Sequence, residues 1–157
     1  MAELKPILLV EDNPNDLELT LTALERSMLA NEVITTRDGV EALDWLLSRG
    51  PHANRDPGDP AVVLLDLKLP KVDGLQVLER IKSDADLRHI PVVMLTASKE
   101  ERDLVRSYEL GVNAFVVKPV DFKEFFKAIQ DVGMFWAILN EPHPPRSRST
   151  PMKVTKG

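Results

Sequence analysis

The chain of 157 residues contains no cysteine. Disulfides, thiolate nucleophiles and cysteine-ligated zinc or iron–sulfur sites are therefore excluded, and a reducing compartment is compatible with the composition. Long apolar runs are also missing. Only four consecutive apolar residues, Ile7 to Val10, precede the first acidic pair, which is too few for a signal peptide, and no run approaches the length of about eighteen residues typical of a membrane helix. We therefore expect a cytoplasmic protein with no membrane partner.

Positive charge is scarce outside the C-terminal tail. The chain carries 20 Lys or Arg against 25 Asp or Glu, for a net charge of -5. Residues 140–157 contribute +3 and residues 1–139 contribute -8, whereas nucleic-acid binders need a positive surface. We expect no nucleic-acid partner. The tail of 18 residues is rich in proline, which predicts a flexible extension too short for a helix-turn-helix domain.

The chain does have a regular alternation of short apolar runs with longer segments of helical periodicity. This alternation predicts an α/β fold, a doubly wound parallel sheet with helices on both faces. The predicted strands are Ile7–Val10, the weaker edge candidate Glu32–Thr36, Val62–Leu65, Val92–Leu95 and Ala114–Val117.

Apolar residues at helical spacing predict five helices. The first spans about Pro14 to Leu29, with Asn13 as its N-cap. The apolar stripes of the next three helices are Val40, Leu43, Leu46 and Leu47; Leu75, Leu78 and Ile81; and, in a helix over Lys99–Leu110, Leu104, Val105 and Tyr108.

The fifth helix, from Asp121 onward, carries more apolar surface than one sheet face needs. Its apolar residues continue to the end of the predicted domain: Phe122, Phe125, Phe126, Ile129, Val132, Phe135, Trp136, Ile138 and Leu139. Because large exposed apolar patches mark interaction sites, the surplus predicts a partner surface. The alternative is that these aromatic residues extend the core of the monomer.

Polar residues follow the strands at the edge where parallel strands end, which is where ligands bind in such sheets. Glu11 and Asp12 follow the first strand, Asp66 the third, Thr96 the fourth and Lys118 the fifth. Taken alone, each is more often a cap, a backbone-bonded hydroxyl or a solvated charge. Together they indicate a chemical site.

Three clustered carboxylates stay ionised at neutral pH only if cations neutralise them. Carboxylate oxygens suit Mg²⁺, which we predict as the cofactor, and Lys118 supplies a fixed positive charge. Such a site can stabilise a transferring phosphoryl group, with Asp66 as the nucleophile and Thr96 bonding an oxygen of the product.

The blocks "ILLVEDNPND", "VVLLDLKLPKVDG", "IPVVMLTAS" and "AFVVKPVD" resemble, in order and in spacing, the motifs of response-regulator receiver domains of two-component signalling. The resemblance covers residues 6 to about 132. It implies a flavodoxin-like sheet of order 2-1-3-4-5 with five helices, a receiver domain over residues 1–139 and no output domain. It also implies a phosphoacceptor signalling protein that assists its own phosphorylation and dephosphorylation, rather than an enzyme.

Carried over residue by residue, the resemblance implies that Asp66 accepts a phosphoryl group from a histidine of a sensor kinase. Asp12 would bind Mg²⁺ directly and Glu11 largely through water. The backbone carbonyl of Lys68 would complete the protein ligands. Glu11 stands where the family often has Asp, a variant that should preserve metal binding.

The resemblance also implies a switch. Thr96 and Lys118 would contact the phosphoryl group, and the Lys118–Pro119 bond would be cis. Phosphorylation would draw Thr96 inward and let Phe115 pack behind it, which changes the face formed by helix four, strand five and helix five. Phe115 lacks the hydroxyl that an aromatic residue often carries at this position in the family.

A narrower resemblance rests on the long loop 49–60, on "SYELGVNAFVVKPVDFKEFFKAI" and on "MFWAILNEP". These segments are similar to those of stand-alone receivers paired with phytochrome kinases, which implies a phytochrome-type histidine kinase as partner. It also implies a homodimer through the face of helix four, strand five and helix five. The implied dimer residues are Tyr108, Phe122, Phe126, Phe135 and Trp136.

Other functions are weaker fits. A phosphatase with an aspartate nucleophile would need a second Asp two residues on as general acid, where this chain has Lys68. A flavodoxin-like binding module would need a glycine- and hydroxyl-rich loop in place of Glu11 and Asp12, which repel phosphate. A DNA-binding regulator would need an output domain. The alternative that the protein is a phosphate sink or a phosphorelay receiver for a non-phytochrome kinase remains open.

Overall fold

The computed structural model describes residues 5–26, 31–56 and 58–131. The strands are β1 (Ile7–Val10), β2 (Val33–Thr36), β3 (Val62–Asp66), β4 (Val92–Thr96) and β5 (Ala114–Val117). The helices are α1 (Pro14–Arg26), α2 (Gly39–Leu46), α3 (Gly74–Ser83), α4 (Lys99–Ser107) and α5 (Phe122–Asp131).

The five strands form one parallel sheet of order β2-β1-β3-β4-β5, which confirms the predicted fold. Every residue of β1, β3 and β4 is buried. These strands are almost entirely Val, Ile and Leu because helices cover both of their faces. β3 and β4 each run one residue further than their apolar runs, so Asp66 and Thr96 are the last residues of buried strands.

The helix starts follow their capping residues. The predicted N-cap of α1 is confirmed, since Asn13 Oδ1 accepts hydrogen bonds from the backbone N–H groups of Asn15 and Asp16 at 2.9 and 3.0 Å. α3 begins with a capping box in which the side chains of Asp73 and Gln76 each accept from the other's backbone N–H. Each cap fixes the direction in which the chain leaves the carboxyl edge of the sheet.

α4 differs from its prediction in two ways. It ends at Ser107 rather than Leu110, because Glu109 adopts a positive φ of 51° that no helix can continue through. Only Val105 of its assigned apolar stripe is buried, whereas Leu104 and Tyr108 are 52% and 55% exposed. Helical spacing does not distinguish a core face from an outward one, and the exposure of Tyr108 is compatible with its place among the predicted dimer residues.

Several predictions lie outside the described residues. These are the ends of the first and fifth predicted helices, the aromatic residues Phe135 and Trp136, and the boundary between residues 1–139 and the tail 140–157. In the part of the chain that the structure describes, no helix has both the length and the apolar character needed to cross a bilayer.

Candidate phosphoryl and metal site

The strand registers bring the predicted site residues to one edge of the sheet. Val10 pairs with Leu65, so the residues that follow them, Glu11 and Asp66, lie side by side. Asp66 pairs with Leu95, and Thr96 pairs with Val117. The ends of β1, β3, β4 and β5 therefore place one acidic pair, one aspartate, one hydroxyl and Lys118 along the carboxyl edge, as the sequence predicted.

Three carboxylates form a compact cluster at this edge. One oxygen from each of Glu11, Asp12 and Asp66 lies within 4.8 Å of the others. Glu11 is fully buried and Asp66 is 4% exposed, while Asp12 is the outermost of the three. Three hard oxygen donors on one side of an open edge are a donor set that fits a divalent cation with its remaining positions taken by water or phosphate.

Lys118 faces the cluster from β5. Its ammonium group, on a side chain only 14% exposed, lies 3.2 Å from Asp66 Oδ1 and 3.3 Å from Glu11 Oε1. A third carboxylate, Asp16 Oδ2, accepts a hydrogen bond from it at 2.8 Å. Asp16 was not among the predicted site residues, although its position in the first turn of α1, shortly after Glu11 and Asp12, places it at this edge. The Lys118–Pro119 bond is cis, as expected.

The hydroxyl of Thr96 is buried without a hydrogen-bond partner. A buried hydroxyl without a partner costs free energy, so each such group needs an explanation, of which a bound ligand, ion or water is one. Because Thr96 ends β4, next to the strand that ends in Asp66, an oxygen bound to Asp66 is a partner that would satisfy this hydroxyl.

Burial raises the pKa values of both Glu11 and Asp66. Burial, together with a hydrogen bond to Asp66 and that residue's charge, raises the pKa of Glu11 to about 7. Burial also raises the pKa of Asp66, against the opposing effects of the Glu11 hydrogen bond and Lys118. Burial disfavours the charged form of Lys118, yet the hydrogen bond to Asp16 and the charges of Asp66 and Glu11 raise its pKa overall.

The loop after β3 is fixed by short-range contacts. Gly74, at the start of α3, lies so close to the end of β3 that a Cβ atom there would overlap the carbonyl oxygen of Asp66 and lie 2.7 Å from Leu67 Cα. Lys68 points its side chain outward, 79% exposed, to pair with Glu101 of α4 at 3.1 Å. Lys71 pairs with Asp38, the N-cap of α2, at 3.4 Å. The loop that carries the Lys68 carbonyl is thus held between α2 and α4.

Phe115, the predicted switch residue, lies on β5 and is half-buried. The guanidinium group of Arg106, from α4, lies 5.0 Å from the centre of its ring, a cation–π distance. The side chain therefore sits between the sheet and α4, in the space that a rotation at β5 would open or close.

This sheet order, with an acidic cluster, a lysine and an orphan hydroxyl at its carboxyl edge, defines the class of phosphoacceptor receiver domains. Comparison with protein families agrees: the response regulator receiver domain family matches residues 7–130. The chain belongs to this family, whose members are signalling proteins.

Three response regulators are similar to this chain over most of its length. Response regulator Rcp1 of Synechocystis sp. is 44% identical over 132 residues, which cover 84% of this chain and 88% of Rcp1. The structure of the bacteriophytochrome response regulator AtBRR is 74% identical, with a TM-score of 0.85, and covers 89% of this chain and 100% of that one. The phosphorylated cyanobacterial phytochrome response regulator RcpA is 43% identical, with a TM-score of 0.69, over 85% of this chain and 94% of RcpA.

The raised pKa of Glu11 predicts that metal binding strengthens with pH. Glu11 is largely protonated below its pKa of about 7, and a metal that needs the carboxylate must displace this proton. We expect divalent-metal affinity to rise by up to about tenfold per pH unit below neutrality and to level off above it. Calorimetric titrations with Mg²⁺ at several pH values test this, with Glu11→Gln as the control that loses the dependence. An affinity that stays constant between about pH 5.5 and pH 8 would contradict it.

Proposed function

We propose that Asp66 accepts a phosphoryl group from the histidine of a sensor kinase, and that the protein is a single-domain response regulator. The observation that carries this proposal is the environment of one carboxylate. Asp66 ends a buried strand, is 4% exposed, faces the Lys118 ammonium group at 3.2 Å and lies beside an orphan hydroxyl on Thr96. A structural aspartate would not need this combination, whereas a phosphoacceptor needs each part of it.

Glu11, Asp12 and Asp66, with the backbone carbonyl of Lys68, would hold Mg²⁺. When bound, the ion neutralises the carboxylates and the negative charge of the phosphoryl oxygens. The donor set supports this assignment, and so does the similarity to Rcp1, of which a Mn(2+)-bound form has been solved. Hard oxygen donors suit both ions, and Mg²⁺ is the one that commonly joins carboxylates to phosphate.

The chain's own residues assist the transfer. The Asp66 carboxylate lies beside the Lys118 ammonium group, which favours its ionised form, and it attacks phosphorus from a fixed position at the end of β3. Lys118 and Thr96 then hold oxygens of the transferred group, the first by charge and the second by a hydrogen bond. Once Thr96 bonds an oxygen, the space behind it becomes available to the ring of Phe115. In this way phosphorylation changes the surface formed by α4, β5 and α5.

A phytochrome-type histidine kinase is the proposed phosphodonor. The support is similarity: AtBRR, named as a bacteriophytochrome response regulator, is 74% identical, and the cyanobacterial phytochrome response regulator RcpA is 43% identical. Phosphotransfer profiling against the sensor kinases of the source organism tests the pairing. Rapid transfer from a phytochrome kinase is expected. Transfer only from other kinases would reject the pairing and leave the phosphoacceptor role intact.

The face of α4, β5 and α5 is the proposed output surface, and a second copy of the chain is its proposed partner. Leu104 on α4 and Tyr108, the residue directly after that helix, lie four positions apart and are more than half exposed, while Phe122 and Phe126 on α5 are half-buried. Apolar residues on two adjacent elements can form one contact surface. The contributions of Phe135 and Trp136 stay predictions, as do the cytoplasmic location and the absence of nucleic-acid and membrane partners.

Acetyl phosphate tests the phosphoacceptor role without a kinase. With Mg²⁺ present, intact mass spectrometry is expected to show the addition of one acid-labile phosphoryl group, and chelation of the metal should reduce the rate at least about a hundredfold. Equal incorporation with and without metal would contradict the proposed site.

The same samples serve for sedimentation velocity, in which a monomer at all concentrations and in both phosphorylation states would rule out the dimer.

A further inference from the structure

Asp16 makes the shortest contact to the ammonium group of Lys118. Its backbone N–H donates to Asn13 Oδ1 at 3.0 Å, which fixes it in the first turn of α1. Its Oδ2 accepts from Lys118 Nζ at 2.8 Å, while Asp66 and Glu11 lie at 3.2 and 3.3 Å. The contact joins residues 102 positions apart in the chain, so it ties the start of α1 to the end of β5.

Three carboxylates crowd the ammonium group of Lys118. It donates hydrogen bonds to Asp16 and Glu11, and Asp66 Oδ1 lies 3.2 Å away as an ion-pair partner. Since an ammonium group has three N–H donors, an oxygen of a phosphoryl group on Asp66 competes with these carboxylate oxygens for Lys118.

Of the three carboxylates, Asp16 is released at the lowest cost. Glu11 is fully buried and would lose its counter-ion in a site that excludes water. Asp66 is itself the acceptor and stays next to Lys118 in either state. The side chain of Asp16 is 32% exposed, so water can solvate its carboxylate as soon as it is released.

We propose that Asp16 is a positioning residue that occupies, on Lys118, the place of a phosphoryl oxygen and yields it when Asp66 is phosphorylated. The inference rests on the proposed function. An Asp66 oxygen forms a bond to phosphorus while the bond from phosphorus to the donor breaks, which is a bond to a ring nitrogen in a phosphohistidine and to the bridging oxygen in acetyl phosphate. With acetyl phosphate, acetate departs with the electron pair and no proton is exchanged. Lys118 trades one anionic oxygen for another, so its charge stays compensated throughout.

Asp16 therefore holds back phosphorylation. In Asp16→Asn the amide oxygen still accepts a hydrogen bond, but the charge that competes with the phosphoryl group is gone. A partly exposed ion pair of this kind corresponds to a change of about fivefold. We expect the maximal rate of phosphorylation by acetyl phosphate to rise by about that factor. The Mg²⁺ concentration that gives half the maximal rate should change less than twofold, because Asp16 is not part of the metal cluster.

The test uses the full chain with acetyl phosphate and Mg²⁺, and compares Asp16→Asn with two other variants. Asp16→Glu keeps the charge and should restore a rate close to that of the wild type. Glu18→Gln removes one charge from an exposed position on the same helix and should leave the rate unchanged. Urea unfolding of each variant separates a loss of stability from a change in rate.

The outcomes are distinct. A slower Asp16→Asn variant would show that Asp16 orients Lys118 for transfer rather than competing with it, and would overturn the inference. An equal acceleration in Glu18→Gln would assign the effect to the overall charge of the protein and would also overturn it. If the wild type itself accepts no phosphoryl group, the proposed function fails, and this result is recognisable before any variant is compared.

Discussion

Asp66→Asn is expected to accept no phosphoryl group from acetyl phosphate or from a sensor kinase, a loss of at least about a thousandfold. The amide is close to the carboxylate in size but lacks the anionic oxygen that attacks phosphorus. The substitution should not destabilise the fold. Burial raises the pKa of Asp66, so ionisation of this carboxyl group is less favourable in the native structure than in the unfolded chain. A neutral amide should therefore make the metal-free protein at least as stable as the wild type at neutral pH. Intact mass and urea unfolding measure the two effects.

Asp73→Asn provides the matched control for this substitution. Asp73 lies in the same loop after β3, and its side chain caps α3 by accepting from the N–H of Gln76 at 3.0 Å. Asparagine caps a helix as well as aspartate does, so the control removes one carboxylate without removing the cap. It should be phosphorylated at the wild-type rate. Acid-labile phosphate that persisted in Asp66→Asn would place the acceptor on another residue.

Gly74→Ala is expected to damage both stability and the metal site, against the usual preference of helices for alanine. In an ordinary helix the change would stabilise by about 0.5–1 kcal/mol. Here the added Cβ would lie 2.7 Å from Leu67 Cα, and closer still to the carbonyl oxygen of Asp66. Backbone atoms cannot rotate away, so the loop after β3 must move. We expect a net destabilisation of about 2 kcal/mol and, because Lys68 lies in this loop, a loss of at least about tenfold in Mg²⁺ affinity.

Gly111→Ala serves as its control. The Cβ added there has only ordinary contacts, 3.9 Å from the side chain of Lys82, but the positive φ of 79° strains any alanine. This variant should lose about 1–2 kcal/mol of stability with normal Mg²⁺ affinity. The pair separates a general loss of stability from a displaced metal-binding loop. Wild-type metal affinity in Gly74→Ala would show that the loop geometry does not control the site.

Much of the fold was predictable because apolar strand runs and amphipathic helical segments are clearly separated along the sequence. Parallel strands buried on both faces must be apolar throughout, and β1, β3, β4 and β5 each stand out between helical segments with clear caps. The convergence of Glu11, Asp66, Thr96 and Lys118 follows from a single geometric rule, since parallel strands end at one edge. The position of each residue at the end of its strand was sufficient to predict that they lie close together.

The remaining features depend on contacts that periodicity does not encode. Asp16 reaches Lys118 across 102 positions of the chain, and the pKa of Glu11 depends on complete burial beside a second carboxylate. Leu104 and Tyr108 belong to the apolar stripe predicted for the fourth helix, yet both are more than half exposed. Apolar spacing identifies a face of a helix, but only the packed structure shows whether the sheet or a partner covers that face.

In the proposed reaction the phosphoryl group becomes attached to Asp66. Reductive trapping tests it most directly, because borohydride converts an aspartyl phosphate to homoserine, which peptide mass spectrometry locates at a single position. After treatment with acetyl phosphate and Mg²⁺, homoserine is expected at position 66 of the wild type and nowhere in the chelated sample. Homoserine at another carboxylate, or its absence from a protein that has gained a phosphoryl group, would show that Asp66 is not the acceptor.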